Sequence, residues 1–314
     1  MKIHNSALAR MDQTAPNIMR RSISLFLVQY PHFAYTAALL ALPFSLSILL
    51  SQILLPSYFP SLIPTLEKKQ WILLQVSGFS STPNLLSFLC SKLSQTVSLS
   101  IFSFPFALTF LLLTKSFVIL RLKPCASLFP TFLALVGTHL CNSFVLASSY
   151  GTVFVAMFVL FSFMEGVGLS SHMWVLFVSA VGAVVYSVIL ATAVIVCKLA
   201  LIVSGFERIG AVPAIVSAWV VVQGKMSLAL SLAIPVNLAL AGIETLFRVR
   251  IVSVWLASGG IWKMGFEGLF IGYLYSLVIV IDTIVSCNLY KMICGDVHVV
   301  WRSVESPKQL DDIL

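Results

Sequence analysis

The sequence predicts an all-α fold: a polytopic membrane protein, built as a six-transmembrane-helix bundle with amphipathic interfacial helices. Three observations carry that prediction. From Met173 to Val203 the chain holds a single charge, Lys198, over a run longer than the ~20 apolar residues that cross a bilayer. Hydrophobic residues make up 59% of 314 positions and charged residues 10%, at a mean hydropathy of +1.03, which leaves too little polar surface to cover a water-soluble core. The apolar runs are continuous and lack the period-two alternation of strands, which excludes a barrel.

In chain order, residues 1–32 form a predicted cytosolic segment that is basic, with Asp12 as its only acid. Ile18 to Tyr30 is amphipathic, with Arg20, Arg21 and Ser24 on one side, and predicts a helix lying on the inner membrane surface. An organelle transit peptide is the alternative, and Met11 is a second candidate start. No cleavable signal peptide is expected, because the first apolar run is span-length and ends at Pro56 without a small-residue cleavage site. Spans are predicted near residues 33–55, 99–120, 131–164, 173–203, 226–246 and 268–289, a transmembrane domain over 33–289 followed by a cytosolic tail at 290–314. Pro43, Pro105 and Pro235 fall inside three of these spans and predict kinks.

The third run would be ~51 Å as one helix, against a hydrocarbon core of ~30 Å, so it must tilt, protrude or break near Ser148-Ser149-Tyr150-Gly151. Charge arbitrates between six spans and seven. With six spans and the N-terminus inside, Lys2, Arg10, Arg20, Arg21, Arg121, Lys123, Arg208, Lys225, Lys291, Arg302 and Lys308 lie inside, against Lys68, Lys69, Lys92, Arg248, Arg250 and Lys263 outside. Splitting the third run gives nine against eight and loses that bias. Six spans with both termini in the cytosol is the better arrangement, in a plasma membrane or an endomembrane. Trp71, Trp174, Trp255 and Trp262 then fall at or beyond the outer boundary, as an aromatic belt requires. The loop from Pro56 to Ser98, broken by Pro60 and Pro64, is the only sizeable extramembrane segment and is expected to hold interfacial stretches rather than a globular domain.

Ionisable side chains inside spans are costly and are therefore the first candidates for function. Lys115, His139, Lys198 and Asp282 all fall ~8 to 12 Å below the predicted cytosolic boundary and form one polar layer. On the functional reading, Asp282 pairs with Lys198 or Lys115 and His139 accepts protons along a transport path. On the packing reading, both lysines snorkel to the headgroups and Asp282 bonds Thr283 or Ser286. Gly268, Gly272 and Ser276 form a small-residue series on the last span, with Asp282 within ~40° of Gly268, so the carboxylate faces a packed helix. Asn237, two residues after Pro235, is expected to bond another helix or line a cavity, and Glu244 with Arg248 reads as an i,i+4 interfacial ion pair.

Enzyme and metal signatures are not visible: His139 and Cys141 point ~160° apart on a helix, and no GxSxG, Walker or HExxH motif occurs. Cys90, Cys125, Cys141, Cys197, Cys287 and Cys294 lack CxxC pairing, so neither a disulfide framework nor a zinc site is indicated, and Cys125 and Cys294 are free thiols or palmitoylation sites. The net charge of +8 is scattered at span ends without interleaved aromatics, which argues against nucleic acid as a partner. No cofactor is expected. The partners implied are the lipid bilayer and proteins reached through the cytosolic termini.

Between the fourth and fifth spans, Glu207, Gly210, Ala214, Ser217, Gly224 and Lys225 fall in the order E-x-x-G-x-x-x-A-x-x-S-x-x-x-x-x-x-G-K. This block resembles the corresponding loop of an uncharacterised plant family of six-span membrane proteins, some labelled polyadenylate-binding-protein-binding, and is distantly similar to bacterial glycerophosphodiesterase membrane-domain proteins. Tyr30-Pro31 and Tyr290-Lys291 fit the same layout. The resemblance implies six-span architecture and carries no reaction. Related proteins have a basic amphipathic helix here, whereas Ala211 to Val222 is almost wholly apolar. That stretch is too short to span, and an in-plane helix anchored by Trp219 is expected, with an apolar linker packed on the bundle as the alternative. The expected function is non-enzymatic, in membrane organisation, trafficking or partner recruitment; the alternative is a transporter or channel for a small solute using the layer around Asp282.

Overall fold

In the structure, a computed structural model, residues 15–58, 98, 100–123, 127–166, 172–253 and 261–305 are described. The fold is all-α, with no strand among the described residues. Helix α1 covers Ala15–Val28 and α2 runs from Tyr30 to Tyr58 through a π-helical turn at Ala37–Ala41. Helix α3 is the span Ser100–Leu122, with a π turn at Ala107–Leu111. They are followed by α4 (Leu128–Gly166), α5 (His172–Glu207), α6 (Ala211–Gln223), α7 (Met226–Phe247, continued by a π turn at Arg248–Val252) and α8 (Ile261–Glu305). Among the described residues six helices are long and apolar enough to cross a membrane: α2, α3, α4, α5, α7 and α8. The chain is an integral membrane protein.

Each predicted span has its helix. The third run stays unbroken, because Ser148 and Ser149 turn their hydroxyls back onto the Val145 carbonyl at 2.9 and 2.8 Å, and Thr152 bonds the Ser149 carbonyl. Polar side chains satisfied within their own helix do not interrupt it. Pro43 lies two residues after the π turn of α2, whose wider coil accommodates the missing N–H and the ring, and Pro105 lies two residues before that of α3. Pro235 is carried within α7. These two π turns lie against each other.

Two elements carry more than the sequence reading gave them. The stretch after residue 289 begins as helix: α8 continues to Glu305, and Tyr290 and Ile293 are still buried in the core. Helix α1 does not rest on the membrane alone. Arg20, Arg21 and Ser24 are exposed as expected, but Ile18, Ser22 and Phe26 form a buried stripe at four-residue spacing against α8. Asn288 Nδ2 donates to Ser22 Oγ at 2.9 Å and fixes that contact. Residues 59–97 of the 56–98 loop, including Trp71, together with Trp255 and the side chains of Trp174 and Trp262, lie outside the described residues.

Packing divides along the bundle. At one end α1, α3, α4, α5, α6, α7 and α8 meet around Leu112, Ile119, Leu135, Ala200 and Ile202. Toward the other end, α2, α3, α7 and α8 share Leu49, Phe247, Ile271 and Tyr275, with nothing from α4 or α5 among the described residues. Glycine sets two of the closest approaches: a Cβ on Gly205 would lie 2.6 Å from Ile119 Cδ1, and one on Gly272 would lie 2.7 Å from Leu46 Cδ2. The Gly272 contact and the fully buried Ser276 are where the small-residue series of α8 lets a neighbour come close.

Candidate functional site

The four ionisable residues come together between α3, α4, α5 and α8. Lys198 Nζ on α5 lies 3.1 Å from Asp282 Oδ2 and 3.3 Å from Oδ1 on α8, so the carboxylate grips the ammonium with both oxygens. Asn237 Oδ1 on α7 accepts from the same Nζ at 3.4 Å. The pair is part-buried, with side-chain exposures of 27% and 18%. Of the two lysines offered by the sequence, Lys198 is the partner of Asp282. Lys115 sits inside the bundle at 8% exposure, within electrostatic range of both Asp282 and Lys198. Among the described residues its ammonium has no carboxylate within 4 Å.

The packing reading of these residues therefore fails at two points. Lys115 does not snorkel, since α3 buries it beside Thr114 and Ser116. Thr283 and Ser286 do not bind the Asp282 side chain: their hydroxyls return to the Ile279 and Asp282 carbonyls, as helix geometry favours. His139 is half-buried on α4, stacks on Phe104 at 6.2 Å and feels the charge of Lys115, which places it at the edge of the layer.

Beside the ion pair is a cleft with α8 as its floor and α5 and α7 as its walls, lined by Ile195, Leu199, Leu232, Val285 and Leu289 together with Ser286. Its volume of about 30 Å³ has room for about two water molecules. Among the described residues no group of three or more His, Cys, Asp or Glu converges as a metal site would need. No family model, curated protein or solved structure matches the chain.

The loop block of Glu207 to Lys225 is built as a reversal. Glu207 ends α5, Arg208 takes a left-handed φ of 58°, and Gly210 is the N-cap of α6. The chain thus folds back so that Ala214, Ala218 and Val222 pack on α5 and α4, while Val212, Val216, Trp219 and Val220 stay exposed. The expected helix is present, and it is packed on the bundle. Ser217 is half-buried, Gly224 closes α6, and Lys225 is the N-cap of α7. Tyr290 O–H donates to Glu207 Oε1, so the last span holds the start of the block.

Sequence reasoning missed the polar groups that lock this end of the bundle. Lys123 Nζ donates to the Phe206 carbonyl at 2.6 Å and Lys291 Nζ to the Leu122 carbonyl at 3.0 Å, each cation capping the C-terminus of another helix where the dipole is negative. Lys291 also lies 5.7 Å above the Phe206 ring. Deeper in, Thr138 Oγ1 bonds Ser204 Oγ at 2.7 Å and Asn142 Nδ2 bonds the Cys197 carbonyl at 2.7 Å, joining α4 to α5. One signal was available for these two: Leu135, Thr138 and Asn142 follow helical spacing, and all are buried. The expected Glu244–Arg248 pair is not formed. Tyr275 donates to Glu244 at 3.0 Å, while Arg248, entering the π turn, reaches Gln52 at 3.5 Å and Arg250 pairs with Glu267 at 3.3 Å.

Proposed function

We propose that the chain is a non-enzymatic membrane protein of membrane organisation, trafficking or partner recruitment, with both termini in the cytosol. One observation carries this reading: the charge of Lys198 is met within the bundle. Asp282 and Asn237 hold Lys198, and the cleft beside them, of about 30 Å³, has room for about two waters rather than a solute. The exposed cations Arg20, Arg21, Arg121, Arg208 and Lys291 gather at the end where α3, α5 and α8 interlock, which supports a cytosolic orientation for that end under the positive-inside rule. Protein partners then meet the termini and the α5–α6 turn, in a plasma membrane or endomembrane. The block resemblance to plant six-span proteins fits this reading.

A second reading, a transporter or channel for a small solute, is favoured by Lys115, a buried cation beside a pair that already neutralises Asp282. Reconstitution in proteoliposomes separates the two. The first reading expects no solute flux, and localisation unchanged in Asp282→Asn; pH-dependent flux abolished by Asp282→Asn establishes the second. Protease protection of tags at each terminus tests orientation, and a lumenal C-terminus overturns it.

A further inference from the structure

The cations that interlock the ends of α3, α5 and α8 carry more charge than the interlock neutralises. Arg121 and Lys123 close α3, Arg208 follows α5 and Lys291 lies on α8, each exposed and each within three residues of the end of a candidate span. Their placement is shared: Lys123 Nζ bonds the Phe206 carbonyl, Lys291 Nζ bonds the Leu122 carbonyl and lies over the Phe206 ring, and Arg208 stands just beyond Phe206. Against these four cations stand Glu207, whose Oε1 accepts from Tyr290, and the C-terminal dipoles of α3 and α5, each worth about half a negative charge. About two positive charges stay uncompensated. Among the described residues none of the four cations has a carboxylate within 4 Å. Arg121 gives its Nε–H to Gln29 Oε1 at 3.1 Å, and on either side of Gln29 the side chains of Val28 and Tyr30 are 77% and 47% exposed, so apolar surface borders the cations.

We infer that this rim binds an anionic phospholipid whose head is a phosphate monoester, the chemistry shared by phosphatidic acid and the phosphoinositides. A monoester carries about two negative charges near neutral pH and so matches the charge left over, whereas a choline phosphodiester is neutral overall. Arg121 and Arg208 present planar guanidinium forks to phosphate oxygens. Lys123 and Lys291 each use one N–H on a helix-end carbonyl and keep two for an anion. Three features favour a lipid over a soluble phosphate, which would use the charges alone: the cations stand where three spans end, apolar side chains border them, and basic clusters of this size beside spans attract anionic membrane surfaces. The inference rests on neither reading of the whole protein, recruiter or transporter.

The test uses the full chain reconstituted in phosphatidylcholine vesicles with a trace of photoactivatable phosphatidic acid or photoactivatable phosphatidylcholine. The phosphatidic acid probe labels peptides at the ends of α3, α5 or α8 saturably, and the choline probe labels them at least about tenfold less. Arg121→Gln combined with Arg208→Asn keeps both lysine caps and a residue that tolerates the left-handed φ, and it lowers labelling at least about tenfold. Arg248→Gln combined with Arg250→Gln removes the same charge at the far end of α7 and leaves labelling unchanged. Raising salt from about 50 to about 500 mM weakens labelling of the unaltered chain by a similar factor, a measurement that needs no variant. Excess unlabelled phosphatidic acid displaces the probe and soluble glycerol phosphate does not. Equal labelling by both probes, no labelling, indifference to salt or to the Arg121 and Arg208 substitutions, equal loss in the Arg248 and Arg250 variant, or displacement by glycerol phosphate or a phosphopeptide overturns the inference.

Discussion

Lys198 and Asp282 stand 84 positions apart in the chain, yet the lysine Nζ rests 3.1 Å from the carboxylate, joining α5 to α8 inside the apolar bundle. Removing one partner leaves the other unpaired in a medium that solvates charge poorly. The two removals are not equivalent. Lys198→Met leaves a short carboxylate without its counter-ion inside an apolar bundle, and a loss of about 2 to 4 kcal/mol is expected. Asp282→Asn costs less, about 1 to 2 kcal/mol, because the amide oxygen still accepts from Lys198. Joining the two substitutions recovers part of the Lys198→Met loss. Reversible unfolding in mixed micelles, read as a double-mutant cycle, gives the coupling directly; additive effects would refute it.

The two close glycine contacts predict opposite outcomes from those at open glycines. Gly205→Val places new methyl groups against Ile119 and Leu135 and should destabilise by about 1 to 3 kcal/mol. Nothing lies within 4 Å of a Cβ at Gly242, so Gly242→Ala should stabilise α7 by about 0.5 to 1 kcal/mol through the smaller backbone entropy loss. Thermal aggregation midpoints of the purified variants measure both signs.

Helix-end capping makes a local prediction. Lys123→Met leaves the Phe206 carbonyl without its donor and should fray the end of α5, raising hydrogen exchange at 204–208 while the core of α8 stays protected. Lys291→Met acts on the end of α3 instead, through Leu122. If the two variants loosen the same segment, the caps are not independent.

Asn142 is the inverse case. Its Nδ2 bonds Cys197, but its Oδ1 is buried without a partner among the described residues. Asn142→Leu removes the unmet acceptor together with the bond, and a change within about 1 kcal/mol is expected. Asn142→Asp puts a carboxyl where no cation is paired to receive it and should cost more than Asn142→Leu. The same unfolding assay ranks the two.

Residue-level legibility followed the range of each interaction. The polar layer was readable because a lysine or aspartate in an apolar run is anomalous by itself, and the depth of each follows from counting 1.5 Å per residue. Choosing between Lys198 and Lys115 as the partner of Asp282 was not readable, since both stand at similar depth and helix rotation and neighbour order decide. Glu244 and Arg248 show the limit of local rules: i,i+4 spacing permits a pair, but Tyr275 and Gln52 on other helices offer competing partners. Lys123 and Lys291 looked like ordinary flanking cations, because the carbonyls they cap belong to different helices.

By itself the sequence determined the solvent: apolar runs of span length commit the chain to a bilayer, to helices and to six crossings, because backbone groups in hydrocarbon must be satisfied within their own segment. Tertiary structure alone decided that α1 joins the core through Ser22 and Asn288, that α6 folds back on α5 and α4, and that Lys198 rather than Lys115 takes Asp282. The physical reason is common to all three. Crossing a membrane depends on composition along one helix, whereas which polar groups meet depends on the rotation and spacing of several helices packed at once.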